Sequence, residues 1–457
     1  MSIFGILLSL ALLMWGAYRG LSVILLAPVL AVTATFFEGS VPLLPTYTEV
    51  FMKGLGNFLV TYYPIFLLGS LFGSLMTDSG AASSVSRGLV RAMGKKHALW
   101  AVILTCSLLT YGGVSAWVVV FTMYPLGRAL FREADIPKRL LPGAIATGAI
   151  GAPMVTFPGS MQIHNSMPMS YFGTTLYAAP LLGILSGSAM MLLCWLWLDR
   201  RARDAARKGE GYGKHRFEEG KESAPPPLRE PPFFLALLPI LLVLVLVYLF
   251  SEVWMPRWDL AYLSQEIYGR KTPQQVIGMW SVILALLTAA VASALFLRRY
   301  FRDLSRTLSE GALGSLLPSL NTASEVGYGA TIASLSGFAL IKNSLLSFSA
   351  GSPLVSASLA INLLAGITGS AAGGLSIALS SLGETYKTLA IASGISLETL
   401  HRIAVIACSG LDSLPHNGAV ITLLTVCGLS HRESYKDIFV TTVIVPLGVL
   451  AICLMVL

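Results

Sequence analysis

Charge is scarce in this chain: Asp, Glu, Lys and Arg make up 12% of its 457 residues, and hydrophobic residues 55%. A soluble domain carries roughly 25% charged residues. Mean hydropathy is +0.73, and apolar runs near 20 residues recur along the chain, so the composition excludes an ordinary soluble fold and indicates an all-α polytopic membrane protein. Paired cysteines are also missing. Cys106, Cys194, Cys408, Cys427 and Cys453 lie within or at the ends of apolar runs, without the CxxC spacing of a metal or redox site, which leaves packing as their role. No nucleic-acid motif accompanies the formal charge of +8, and the basic residues cluster between apolar runs, as membrane topology requires. The first run lacks a basic flank and a small-residue cleavage site and is read as a retained span.

The basic clusters assign sides. Arg19, then Arg87 to Lys96, then Arg128 to Arg139, mark the cytoplasm in the first half. Residues 37–56 are expected at the outer surface. The apolar run at 98–127 has basic residues on both flanks and about 30 residues, where two full spans need roughly 40. It is expected to be a re-entrant hairpin entering from the cytoplasmic side, with its tip at Tyr111 to Ser115. A span over about 140–175 follows, then one at 177–198. Residues 199–232, with Arg200, Arg201, Arg203 and Pro225-Pro226-Pro227, form a cytoplasmic linker. The second half, 233–457, is expected to repeat the plan from the opposite face: an outer-side hairpin at about 353–385 with its tip at Ile367 to Ser370, a span at about 400–428, and a last span at 438–456. The reading is two inverted-topology repeats, 1–198 and 233–457, with about ten transmembrane helices, two re-entrant hairpins and both termini outside.

Within these spans two stretches break the apolar pattern. Ser409-Gly410-Leu411-Asp412-Ser413-Leu414-Pro415-His416-Asn417-Gly418 has a counterpart in Thr156-Phe157-Pro158-Gly159-Ser160-Met161-Gln162-Ile163-His164-Asn165. Hydrocarbon offers no water to bare backbone groups, so such stretches are tolerated only where a broken helix lines a protein cavity. An offset of 257 residues relates Pro158 to Pro415, Gly112 to Gly369 and Gly80 to Gly337. Paired interrupted segments in corresponding halves point to the binding site of a secondary transporter.

At Tyr111-Gly112-Gly113-Val114-Ser115, Gly366-Ile367-Thr368-Gly369-Ser370 and Leu414-Pro415-His416-Asn417-Gly418-Ala419-Val420 the chain resembles the gluconate permease (GntP) family of proton-coupled carboxylate symporters, over nearly its whole length. It is most similar to the branch for gluconate-type acids and short hydroxy acids such as 3-hydroxybutyrate. The resemblance implies an elevator-type transporter, with paired hairpins and broken helices in a mobile transport domain and a scaffold that forms a homodimer. It also implies a neutral residue where Glu325 follows Asn321-Thr322-Ala323-Ser324.

A small hydroxycarboxylate needs its anionic end held, and no Lys or Arg falls near the middle of any expected span. Backbone must do the work: hairpin tips and broken helices aim free N–H groups and helix N-terminal partial charge at one place. Candidate substrate-binding residues are therefore Tyr111, Gly112, Gly113, Ser115, Thr156, Pro158, Gly159, Ser160, Gln162, Asn165, Thr368, Gly369, Ser370, His416, Asn417 and Gly418. Candidate proton-coupling groups are Asp412, His416 and His164; Asp412 as a cap for the following helix is the alternative. Asn321 and Thr322 read as packing residues. The partners implied are a small carboxylate, protons, the lipid bilayer of the bacterial inner membrane and a second copy of the chain, with no cofactor, metal or nucleic acid. Sodium coupling is the rival within transporters. A remote alternative is an intramembrane serine hydrolase using Ser370 and His416, which the duplication of the motifs argues against.

Overall fold

The computed structural model describes residues 2–19, 21–213, 230–340, 344, 352–415 and 417–457. Helices account for its regular structure, and no strand occurs among the described residues. Among the described residues five helices are long and apolar enough to cross a membrane: Leu43–Asp78, Pro180–Arg207, Phe233–Arg257, Pro273–Phe296 and His431–Val456. The first of these differs from expectation. Residues 43–56, anticipated at the outer surface, already belong to the helix, which begins with a π-helical turn at Thr46–Phe51. Similarly, Leu304–Gly314 is a separate helix that precedes Leu316–Ser334.

Short helices build the interior. Ala98–Tyr111 and Ala116–Glu133 pack on each other as a first hairpin, and Pro353–Thr368 and Ala371–Ala392 as a second. Gly113 turns the first tip with φ of 91° and Gly369 the second with φ of 62°, a conformation that costs a residue bearing a Cβ. Beyond the second turn, Ser370 caps the return helix, its Oγ accepting the Gly373 N–H at 3.0 Å.

Two further segments are interrupted. Leu141–Ala149 stops, a single turn at Ala152–Val155 follows, and helix resumes at Ile163–Phe172. Leu397–Cys408 stops, and helix resumes at Gly418–Cys427. Packing of these halves is reciprocal. Leu141–Ala149 lies on the first hairpin while Ile163–Phe172 lies on the return helix of the second. Conversely, Leu397–Cys408 lies on the second hairpin while Gly418–Cys427 lies on Ala116–Glu133 of the first. Each interrupted segment thus bridges both hairpins, and the interruptions fall where the four units meet.

Candidate functional site

Each hairpin tip is tied to its own interruption. On the first side the Tyr111 hydroxyl donates to Pro158 O at 2.6 Å, and Gln162 Nε2 donates to Thr110 O at 2.7 Å. Gly113 leaves room for Met161, the nearest side chain to any Cβ placed there. On the second side Asn417 Nδ2 donates to Gly369 O at 2.9 Å and to Asp412 O at 2.8 Å, while Asn417 Oδ1 accepts the Val420 N–H. Asn417 is therefore both the cap of Gly418–Cys427 and the fastener of the second tip. Asp412 does not cap that helix; it is buried within the interruption, its Oδ1 accepting from Ser413 Oγ at 3.2 Å.

Between the first hairpin and the two interruptions lies a small apolar recess of about 20 Å³, lined by Ala116, Val120, Ala146, Ile150, Ala419 and Leu423. Ala116 opens one helix and Ala419 stands in the first turn of another. Two helix N-termini, each an end with unsatisfied N–H groups and partial positive charge, thus meet one apolar recess. Ser115 precedes the first of these helices. Gly418 starts the second and is exposed, with no neighbour within 4 Å of an added Cβ.

Several anticipated residues are turned inward instead. Thr156 Oγ1 donates to Ala152 O, Ser160 Oγ to Pro153 O, and Thr368 Oγ1 to Leu364 O. Gly112 packs against Ile240, and Gly159, with φ of 78°, against the ring of Tyr177. These residues shape the interruptions from behind. Ser370 spends its oxygen on the helix cap described above. His164 is buried with Nδ1 unpartnered. His416 lies outside the described residues.

One group escaped the sequence reading. Arg402, one turn into Leu397–Cys408, is fully buried. Nη1 donates to Asn165 Oδ1 at 2.7 Å, Nε to Ala178 O at 3.0 Å, and Nη2 to Leu176 O and Ala178 O at 3.0 and 2.8 Å. Asn165 is held from its other end, Nδ2 donating to Met154 O. A fixed positive charge therefore joins the two interrupted segments, where backbone alone was expected. A basic residue so near a helix start reads in one dimension as the edge of a span. The signal that could have found it is the placement of an arginine only seven residues before an intramembrane break.

Residues 1–383 match the family model described as GntP family permease. The Bacillus subtilis (strain 168) protein named Uncharacterized transporter YxjC is 41% identical over 459 residues, covering 98% of this chain and 97% of that one. A gluconate permease of Pseudomonas aeruginosa is 40% identical over 58 residues, 13% of either chain. Two solved structures share the fold. The Alcanivorax borkumensis YdaH transporter superposes with a TM-score of 0.56 at 15% identity, covering 87% of this chain and 86% of that one. Neisseria gonorrhoeae MtrF, of a class of antimetabolite efflux pumps, gives 0.53 at 13% identity, covering 90% and 84%.

Proposed function

Because the chain belongs to the GntP family of permeases, and is thus a multi-pass membrane transporter and not an enzyme, we propose that it imports a small hydroxylated monocarboxylate by proton symport. The substrate is a gluconate-like sugar acid or a 3-hydroxybutyrate-like acid, carried across the bacterial inner membrane. The observation that carries this reading is the convergence of the starts of Ala116–Glu133 and Gly418–Cys427 on one small apolar recess. Helix N-termini hold the carboxylate, hydroxyls meet Ser115, Gln162 and the tip backbones, and the carbon chain lies against the apolar lining. The name of the Pseudomonas relative matched over 58 residues, a gluconate permease, supports the substrate class.

Proton coupling is assigned to Asp412, His416 and His164, ionisable groups in or beside the interruptions. The two halves, 1–198 and 233–457, are inverted repeats comprising about ten crossings and two re-entrant hairpins. Hairpins and interrupted segments move together against a scaffold that dimerises. The reciprocal packing of each interrupted segment across both hairpins supports treating those four units as one moving body.

Thermal stabilisation of purified protein by gluconate, 3-hydroxybutyrate, glycerate, lactate, D-serine and succinate tests the reading, at about pH 5.5 and about pH 7.5, with and without Na⁺. Stabilisation by one hydroxy acid, larger at the lower pH and indifferent to Na⁺, is the expected result. No response to any of the acids overturns the substrate class, and a strict Na⁺ requirement overturns the proton.

A further inference from the structure

Glu325 lies midway along Leu316–Ser334, a helix that packs against the return helix of the second hairpin, Ala371–Ala392. Its side chain is 4% exposed. A Cβ added at Gly373 would collide with its carboxylate, so the acid is pressed against the backbone of that helix's first turn. Glycine at 373 is what makes the approach possible. The first turn of Ala371–Ala392 contains no acidic residue of its own, so Glu325 supplies from a neighbouring helix the negative group that a helix start attracts.

The fit is incomplete in an informative way. Gly373 N–H already donates to Ser370 Oγ and Gly374 N–H to Ser370 O. Glu325 Oε2 has no hydrogen-bond partner, and neither has Asn321 Oδ1, one turn earlier on the same face. Ionisable groups on the surrounding elements are occupied elsewhere. Lys53 pairs with Glu49, Lys387 with Glu384, Arg306 with Glu310, Asp78 accepts from Thr307 and Glu38 from Ser2. The hydroxyls of Tyr62, Tyr328 and Tyr386 bond Met167 O, Ser9 and Ser356, and Tyr47 stacks on Phe51. No charge among the described residues compensates Glu325.

A buried carboxylate without a cation must find a proton, and an anion brought to the second hairpin tip would meet a like charge there unless it had. We propose that Glu325 is a proton site of the transport cycle, whose protonation lets the substrate anion approach the second hairpin tip, which Asn417 fastens to the start of Gly418–Cys427. The inference rests on the carboxylate-transporter reading. One proton from the outer phase joins the carboxylate, one substrate anion follows it to the tip, and both leave toward the cytoplasm. Pairing the two charges makes their joint passage neutral, so the binding energy of the anion is available only to the protonated form.

The test compares wild type with Glu325→Gln, using gluconate and 3-hydroxybutyrate as probes. In wild type, whichever acid stabilises the protein should do so at a concentration about tenfold lower at about pH 5.5 than at about pH 7.5. In E325Q that dependence should fall below about twofold, and a proton gradient should no longer drive accumulation in proteoliposomes. Glu325→Asp should restore coupling with a displaced pH midpoint. Infrared difference spectroscopy reads the site without substrate: a protonated-carboxyl band that titrates in wild type and is absent from E325Q is expected. Full pH dependence and gradient-driven accumulation in E325Q overturn the proposal, as does an infrared titration identical in the two proteins. If wild type responds to no acid, the substrate reading fails, and the infrared comparison still decides whether Glu325 binds a proton.

Discussion

At Arg402 a positive charge is stored among carbonyl oxygens, and no ion pair to it occurs among the described residues, Glu398 of the same helix acting on it only from a distance. The planar guanidinium suits that surrounding: its fork reaches Leu176 O, Ala178 O and Asn165 Oδ1 together, which a lysine ammonium on a flexible stem cannot do. Gly183 completes the pocket, since a side chain there would press on Nε. Arg402→Ala strands two buried acceptors, Ala178 O and Asn165 Oδ1, while Leu176 O keeps the Gly159 N–H; at about 1–3 kcal/mol for each stranded group, apparent stability should fall by on the order of 2–5 kcal/mol. Thermal unfolding in detergent measures it, with the exposed Arg306→Ala as reference. Equal losses in the two variants would show Arg402 to be dispensable. Asp412 is a different kind of residue, buried within an interruption, its Oδ1 accepting from the Ser413 hydroxyl. Asp412→Asn should abolish proton-driven uptake and spare substrate exchange, while leaving the pH dependence of binding assigned to Glu325. Uptake unchanged at every pH would remove Asp412 from coupling.

Among the elements, the interruption at 409–417 shows how one side chain can serve two structures. Asn417 caps Gly418–Cys427 through Oδ1 and fastens the second hairpin tip through Nδ2. Asn417→Asp keeps the acceptor that caps the helix and loses both donated bonds, whereas Asn417→Ala loses all three, including a cap worth about 1 kcal/mol. Both variants strand the Gly369 and Asp412 carbonyls and should lower stability without ligand, N417A losing the helix cap as well, and both should weaken binding of the stabilising acid by about tenfold. Normal affinity in N417D would show that the tip needs no fastening. At the basic end of the first interrupted segment, Arg139 donates to both oxygens of Glu210 at 2.7 and 2.9 Å, and this holds the Glu210 carboxyl below its ordinary value of 4.5. The pairing thus supports folding above that value and is lost as pH falls through the lower folded one. A stability difference between wild type and Glu210→Gln should be present at neutral pH, shrink in acid and diminish with salt; a difference independent of pH would refute it. These elements were unequally legible. Prolines and amides inside apolar runs carry a physical signature, so the departures from helix at 156–162 and 409–417 could be located in one dimension. The glycines at 113 and 369 likewise announced turns. Asn165 and Arg402 could not be paired, because nothing in a linear pattern says which helix halves lie side by side. The inward hydroxyls of Thr156, Ser160 and Thr368 looked like ligand donors for the same reason, their backbone acceptors being a matter of three-dimensional folding.

For the whole molecule, the decisive surface is the one between Leu316–Ser334 and Ala371–Ala392. The elevator reading places the first helix in the scaffold and the second in the moving body, so contacts across it must break during each cycle. Glu325 against Gly373 is one such contact and Gly329 against Ile377 another. A Cβ at Gly329 would stand 3.2 Å from Ile377 Cβ, close to the ~3.5–4.5 Å separation of a disulfide. Gly329→Cys combined with Ile377→Cys, in a background lacking the five native cysteines, should therefore oxidise readily, stop uptake, and recover on reduction. The control lies on the other side of the same helix, where a Cβ at Gly54 would be 3.0 Å from Ala330 Cβ. Gly54→Cys with Ala330→Cys joins two helices assigned to the scaffold, so its oxidation should leave uptake intact. If the 329–377 bond forms and transport continues, the second hairpin does not slide past this helix and the elevator assignment fails. If both bonds stop transport equally, motion divides the molecule elsewhere. Arrest by the first bond alone would place the moving boundary along the helix face that carries Glu325, where a change in protonation and a change in position act on the same few contacts.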